Sequence, residues 1–250
     1  PHLDVLEKSR WDVGEVRVGK RTRRPAAPFT TSTMQQEASR RLGFNTTKTM
    51  RVAQQLYEGI DLGDDEGAVG LITYMRTDSV SVSKEAETEA RAYVGKHFGP
   101  NYVPVKPPEY KTKSKMAQEA HEAVRPTSVS RVPKQIKDHL SRDQYRLYRL
   151  IWDRFVASQM SPARYDTVSV DVVGKTPAHE YGLRASGSTV RFPGYLVVYE
   201  EALDEDLRSD EEIVRIPAGL EENQTQKLVA LLPEQHFTQP PPRFSEASLV

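Results

Sequence analysis

The stretch SRDQYRLYRLIWDRFVASQM, residues 141–160, carries the strongest structural signal in the sequence. Its apolar side chains recur every three or four residues, which predicts one buried face of a long helix. Ser141 and Gln144 have the spacing of a capping box, so we expect the helix to begin there. The residues of the predicted buried face are Tyr145, Tyr148, Ile151, Trp152, Phe155 and Val156. This helix should form part of a helical core.

The pattern changes directly after this helix, at Tyr165. Four segments rich in Val, Tyr and Thr then alternate with a period of two, which is typical of β-strands. They are YDTVSVDVV (165–173), AHEYGLRASGSTVRF (178–192), GYLVVYEE (194–201) and QKLVALLPEQHF (226–237). A further strand is predicted near the start, in WDVGEVRVGKRTRR (11–24).

The region between the two β-rich parts reads as helical. TTSTMQQEASRRLGF (30–44) opens with hydroxyl residues, has Gln35 and Gln36 in capping-box spacing after Ser32 and Thr33, and closes at Gly43. Further helices are predicted in TTKTMRVAQQLYEGI (46–60), ending near Gly59, and in KEAETEARAYVGKHFG (84–99), capped by Ser83 and ending at Gly99. The sequence therefore predicts a multidomain α+β fold: a split antiparallel β domain, residues 1–33 and 162–250, with an all-helical domain inserted at 34–161.

Composition narrows the classes of function. The chain has 250 residues, 37% of them apolar, no Cys and no apolar run long enough to cross a membrane. Disulfides and thiolate metal sites are excluded, and with no secretory signal at the start we expect a cytoplasmic protein with no membrane partner. The zero net charge conceals an asymmetry: residues 101–164 hold 13 Lys and Arg against 6 Asp and Glu, whereas 200–222 hold 2 against 10. Both charged segments are explained by a solvated surface, but the basic segment is also typical of a surface that binds nucleic acid.

The sequence lacks residues that several other enzyme classes require. HEAVR (121–125) has Arg where a zinc protease needs its second His, and GDDEGAVG (63–70) lacks the Lys of a phosphate-binding loop. DEDLR (204–208) has alternate acids but lies in a longer acidic run, which favours a solvated loop. Tyrosine recombinases place their Tyr after a His-x-x-Arg motif, whereas here Tyr74 precedes His121. We expect no metal site in this chain.

The segment GLITYMRTDS (70–79) poses the functional question. Apolar residues of a possible strand core run into Tyr74, Arg76 and Asp78, whose side chains suit a phosphate. Tyr74 is therefore either a core aromatic or a nucleophile. The second polar block is AQEAHEAVRPTSV (117–129), in which Arg125 follows His121 by one helical turn if the block is helical.

Together these two blocks resemble the signature of the type IA DNA topoisomerases, in particular those of bacteria. Further blocks resemble that family in the same order: RTRRPAAPFTTSTMQQEASRRLGF (21–44), TMRVAQQLYEGID (49–61) and QHFTQPPPRFSEASLV (235–250). The resemblance covers nearly the whole chain. It implies that the β domain is the family's arch, and that the chain is a central fragment that lacks the metal-binding Toprim domain.

The resemblance also implies roles for individual residues. Tyr74 is the expected nucleophile, forming a 5′-phosphotyrosyl ester with single-stranded DNA, and Arg76 is its phosphate-binding partner. His121 is expected to hold a neighbouring phosphate or to relay a proton. Further DNA-binding residues are expected to be Arg125, Lys113, Lys115 and Asp78. Asp78 either orients Arg76 or a proton path, or caps a turn.

The family's activity is ATP-independent cleavage and religation of one DNA strand, which relaxes negatively supercoiled DNA by strand passage. The resemblance implies Mg²⁺ in the full-length enzyme, bound by the domain that this fragment lacks, and no cofactor in the fragment itself. The remaining domains of the same polypeptide are then partners, and the fragment alone should be inactive in relaxation. The alternative is a non-catalytic module that binds single-stranded DNA or acts as a gate.

Overall fold

The computed structural model describes residues 2–63, 67–110, 122–200, 216–217, 219–238, 240, 243–244 and 249. The described helices are α1 His2–Glu7, α2 Thr31–Leu42, α3 Thr46–Glu58, α4 Lys84–His97 and α5 Arg142–Ser158. The described strands are β1 Arg10–Arg23, β2 Ile60–Asp61, β3 Ala68–Val69, β4 Ala163–Lys175, β5 Glu180–Phe192 and β6 Thr225–Gln226. Helices and antiparallel strands in one chain confirm the α+β class.

The chain forms two compact units. The sheet unit comprises residues 1–22, 164–192 and 209–241, and the helical unit comprises 23–163, 193–208 and 242–250. These ranges differ from the expected domains chiefly at 23–33 and 193–208, which belong with the helices because Phe29 and Tyr199 are buried there. The arch and its boundaries, taken from the sequence, stay a prediction.

The sheet unit is built on a long hairpin. Its four strands lie in the order β5-β4-β1-β6, and β4 pairs antiparallel with β5 from Tyr165 opposite Val190 to Lys175 opposite Glu180. Strand β5 is largely exposed, so the buried part of this unit is small. Its buried apolar side chains are Trp11, Val13, Tyr165 and Val170.

Two of the predicted strands are wrong. Residues Gly194–Val197 form a 3₁₀ turn, in which the Tyr199 N–H continues the coil by donating to the Tyr195 carbonyl (3.1 Å). Both tyrosines are buried while Val197 between them is exposed, which a helical coil allows and a period of two does not, since a strand would place all three on one face. In the segment predicted as a strand at 226–237, only Gln226 pairs, and Val229 and Leu232 are exposed. The acidic run 200–222 lies largely outside the described residues.

The helical unit follows the expected helices closely. Helix α5 starts with the predicted Ser141–Gln144 capping box, and of its predicted face all but Tyr145, which is half-buried, are buried. Helix α2 ends at Gly43 in the left-handed region as expected, and Ser83 caps α4. The capping box of α2 differs from the prediction: it joins Thr30 and Thr33, so the helix begins two residues earlier. Within the described residues, no helix combines the length and apolar character needed to cross a membrane.

Gly194 offers a test of close backbone packing. Its φ is +52°, and a Cβ added there would lie 2.4 Å from the Ser161 carbonyl oxygen. Gly43 has a similar φ of +66° but open space around it. We expect Gly43→Ala to lower the free energy of unfolding by about 1 kcal/mol and Gly194→Ala by about 3 kcal/mol, since only the second adds a backbone clash to the conformational strain. Equal losses in urea titrations would contradict this packing.

Asp153 on α5 offers a test of pH dependence. Burial raises the pKa of this carboxyl to about 6, although Arg149, 3.3 Å away, acts in the opposite direction. A raised folded-state pKa means that the folded chain binds the proton more readily than the unfolded chain. The destabilisation caused by the ionised carboxylate is therefore absent below about pH 4 and complete above about pH 6. We expect Asp153→Asn to stabilise the chain by about 2 kcal/mol at pH 8 and by little at pH 4, measured by urea unfolding at both values. A gain that does not change with pH would contradict this.

Candidate active site

The segment Gly70–Ser79 is fixed at its apolar end. Leu71, Ile72 and Met75 are fully buried, and the Leu71 N–H donates to the Leu56 carbonyl of α3 (2.7 Å). Ile72 makes only an isolated antiparallel bridge with Pro126, so the expected strand core is replaced by a buried loop. Tyr74 does not belong to that core, because 42% of its surface is exposed.

Exposure alternates along the next six residues. Tyr74, Arg76 and Asp78 are exposed, whereas Met75, Thr77 and Ser79 between them are buried. The backbone bends at Met75 and Arg76, so this alternation comes from the packing of a loop and not from a strand. The segment therefore exposes a phenol, a guanidinium and a carboxylate to solvent, while the residues between them are buried in the protein.

Threonines at the start of α2 hold that backbone. The Thr31 hydroxyl donates to the Met75 carbonyl (2.7 Å) and accepts from the Thr77 N–H (2.8 Å), while the Thr31 N–H donates to the Thr77 carbonyl (2.8 Å). The Thr77 hydroxyl in turn accepts from the Ser79 N–H (3.0 Å). Every residue on the buried side of the segment is thus bonded or packed, which restricts the positions of Tyr74 and Arg76.

Thr73 holds the other flank of Tyr74. Its hydroxyl donates to the Ala123 carbonyl (2.6 Å) and accepts from the Arg125 N–H (3.0 Å), and its own N–H donates to the Arg125 carbonyl (2.9 Å). These bonds tie Gly70–Ser79 to the second polar block of the sequence. The two blocks that carry the expected site residues therefore lie side by side.

Tyr57, in the last turn of α3, is the aromatic neighbour of Tyr74. The ring centroids are 5.5 Å apart and the ring planes meet at 64°, a T-shaped contact. Tyr57 is itself 41% exposed, so the pair forms an aromatic patch at the surface. The helical spacing of Ala53, Tyr57 and Ile60 predicts a buried position for Tyr57, and no signal in the sequence links it to Tyr74.

Arg125 lies away from solvent. Its guanidinium is paired with Glu122 (2.5 Å), donates to the Pro126 carbonyl (2.9 Å), and is 9% exposed as a residue. The described part of its block is not helical, because Val124 and Pro126 make extended bridges with Phe29 and Ile72. The structure gives Arg125 partners within the chain, and the phosphate contact expected from the resemblance stays a prediction.

The remaining predicted site residues divide into two groups. His121, Lys113 and Lys115 lie outside the described residues. Arg76 and Asp78 are exposed, and neither makes a hydrogen bond or ion pair within the described part of the chain, so Asp78 neither orients Arg76 nor caps a turn there. Thr31 was missed because hydroxyl residues before a helix were assigned to capping alone, and no signal in the sequence marked Thr73 as a support for Tyr74.

Metal binding has no support from the described side chains. They contain no group of three or more His, Asp or Glu that could hold an ion, and the sequence has no Cys to add. The exposed charged side chains of Gly70–Ser79 are one cation, Arg76, and one carboxylate, Asp78, which do not make a ligand set for a divalent ion. We therefore assign no metal ligand to this site.

Comparison with known proteins gives consistent matches. Residues 3–250 match the DNA topoisomerase family. DNA topoisomerase 1 of Xylella fastidiosa (strain 9a5c) is 52% identical over 248 residues, which is 99% of this chain and 30% of that protein. The enzyme of the same name from Rickettsia bellii is 45% identical over 247 residues, with the same coverage of both chains.

A solved structure shares the fold. Full-length topoisomerase I from Thermotoga maritima superposes with a TM-score of 0.71 at 36% identity, over 90% of this chain and 34% of the other. The chain thus spans about a third of the length of the relatives it matches.

The role of Thr31 can be tested by amide hydrogen exchange. Thr31→Val keeps the shape but removes the hydroxyl that accepts from the Thr77 N–H, so we expect that amide to exchange at least tenfold faster. The matched control is Thr49→Val, which removes a buried hydroxyl that bonds only the Asn45 carbonyl within the cap and first turn of α3. Unchanged exchange at Thr77 in Thr31→Val, or equal acceleration in both variants, would contradict this role.

Proposed function

The chain belongs to the DNA topoisomerase family, and from this we propose that it carries the nucleophile with which a type IA enzyme breaks and rejoins one DNA strand. It corresponds to a part of its relatives, since it spans 30% of the curated ones. The proposed activity is therefore that of the whole protein. The observation that carries the proposal is the exposed phenol of Tyr74 on a segment whose buried side is fixed by hydrogen bonds.

Tyr74 would attack a backbone phosphodiester. Its phenol loses a proton as the oxygen forms a bond to phosphorus, the bond from phosphorus to the 3′-oxygen breaks, and the leaving 3′-oxygen takes up a proton. The product is a 5′-phosphotyrosyl ester beside a free 3′-hydroxyl. Because the ester conserves the bond, the reverse attack by the 3′-hydroxyl reseals the strand and no ATP is needed.

Arg76 would bind the phosphate under attack. It follows Tyr74 by two residues on the exposed side of the segment, and a guanidinium can donate two parallel hydrogen bonds to phosphate oxygens. The charge that develops on those oxygens during attack would be stabilised by the same contact. By the family resemblance, His121 would hold an adjacent phosphate or relay a proton, and Lys113 and Lys115 would contact the DNA backbone.

The proposed partners follow from this chemistry. The substrate is single-stranded DNA, as opened in negatively supercoiled DNA, and the remaining domains of the same polypeptide complete the enzyme. Mg²⁺ would belong to those domains, and no step proposed for this chain involves it. A cytoplasmic location is part of the proposal, as is inactivity of this chain alone in relaxation.

Covalent trapping tests the proposal. The whole protein is incubated with 3′-labelled single-stranded DNA and Mg²⁺, and the mixture is denatured before electrophoresis. We expect a labelled protein adduct with the natural chain and none with Tyr74→Phe, because phenylalanine has no oxygen to attack phosphorus. The matched control is Tyr57→Phe, which removes a hydroxyl from the neighbouring exposed ring and should leave the adduct in place.

Two outcomes would overturn parts of the proposal. An adduct that persists in Tyr74→Phe would assign the nucleophile to another residue. No adduct with the natural chain, despite measured binding of the same DNA, would sink the catalytic assignment and favour a non-catalytic DNA-binding or gate module.

A further inference from the structure

A cationic cleft opens at one end of the sheet unit. It has a volume of about 400 Å³ and lies among the ends of β1, β4 and β5. Its cations are Lys20, Arg21, Arg164 and Arg191, and Asp166 is its single carboxylate. None of these residues takes part in the candidate active site described above. The cleft is thus a second concentration of positive charge without an assigned role.

The cations of the cleft lack the carboxylate partners that other arginines of the same sheet have. Arg17 and Arg184 both bind Asp171, at 3.0 and 2.6 Å, and Arg10 binds Asp12 at 3.1 Å. Within the described residues, no ion pair involves a cation of the cleft. Unpaired cations in a cleft attract anions from solution, since the neighbouring charges add and the protein walls exclude solvent.

Aromatic rings order two of these guanidinium groups. The Arg21 guanidinium lies over the Tyr165 ring and that of Arg164 over the Phe192 ring, each 5.0 Å from the ring centroid. A stacked guanidinium keeps its N–H donors in its own plane, pointing away from the ring, where they can bind phosphate oxygens. The stacking also reduces the side-chain entropy lost on binding.

A β-bulge adds a third guanidinium. Arg164 pairs with Phe192, but the next residue, Tyr165, pairs with Val190, so Arg191 is the extra residue of β5. A bulge turns the side chain of its extra residue away from the regular alternation and is frequent beside binding sites. The irregularity therefore adds Arg191 to the side of the sheet that already holds Arg164.

We propose that the cationic cleft binds the phosphodiester backbone of a DNA strand at a site separate from Tyr74. Three guanidinium groups and one ammonium face a single carboxylate, which suits successive backbone phosphates better than one small anion. Binding is independent of sequence, because contacts to phosphate carry no base information. The inference rests on the proposed function only for the identity of the nucleic acid, and its test does not involve Tyr74.

The test compares two double variants of the full chain with equal change in charge. Arg164→Gln with Arg191→Gln removes two cations of the cleft, while Arg17→Gln with Arg184→Gln removes two arginines that are paired with Asp171. Fluorescence anisotropy with labelled single-stranded and duplex oligonucleotides gives the affinity at several salt concentrations. We expect the cleft variant to bind about tenfold more weakly at low salt and to lose about 1 to 2 from the slope of log K against log salt.

The control double variant should keep the slope of the natural chain, and circular dichroism checks that both variants fold. Equal losses of slope in the two double variants would overturn the proposal. Binding of inorganic phosphate to the cleft arginines is monitored by NMR of their Nε–H groups. If phosphate saturates these groups while the cleft variant keeps its DNA affinity, the cleft is a small-anion site and the proposal of DNA binding is overturned. Covalent trapping through Tyr74 is measured separately, so failure here is distinguishable from failure of the proposed function.

Discussion

The hydrogen bonds between Thr31 and the backbone of residues 75–77 are the constraint on which the candidate active site depends. A hydroxyl that both donates and accepts fixes two peptide groups at once, and here it comes from the first turn of a helix that is itself capped and packed. Because the residues between the exposed side chains are buried, a displacement of Tyr74 would have to break those bonds or move Met75 out of the core. The position of the phenol is thus set by the fold beneath it.

Local sequence signals predicted the parts of the fold that local physics determines. The helix at 142–158 combines a capping box with an apolar face, and the strands of the β4–β5 hairpin combine Val and Thr with a period of two, so both were predictable. The turn at Gly194–Val197 was not, because Val and Tyr also suit a coil when a tertiary contact buries Tyr199 against Glu37. The block around Arg125 is extended where a helix was one possibility, because Pro126 disfavours the helical conformation in the residue before it.

The arginines show why a basic sequence does not reveal where anions bind. Arg125 and Arg154 lie in the charged stretch 101–164 yet are buried, the first against Glu122 and the second against the Ala27 carbonyl (2.6 Å). A buried guanidinium with these partners is costly to withdraw, so it stabilises the fold and is not available for a ligand. Only three-dimensional structure separates such residues from Arg76 and Arg164, which are exposed and make no ion pair with any residue that the structure describes.

The spacing of the candidate site follows from this division between buried and exposed positions. The phenol of Tyr74 and the guanidinium of Arg76 are both exposed, and they cannot move independently, because the backbone between them is bonded to Thr31. An attacking oxygen and a phosphate-binding group must keep a fixed separation through the reaction, and misplacement by 1 Å is enough to reduce a rate strongly. Two residues that are close in sequence, on a segment whose backbone is fixed by hydrogen bonds, meet that requirement. The catalytic geometry would then depend as much on the buried Met75 and Thr77 as on the side chains that touch DNA.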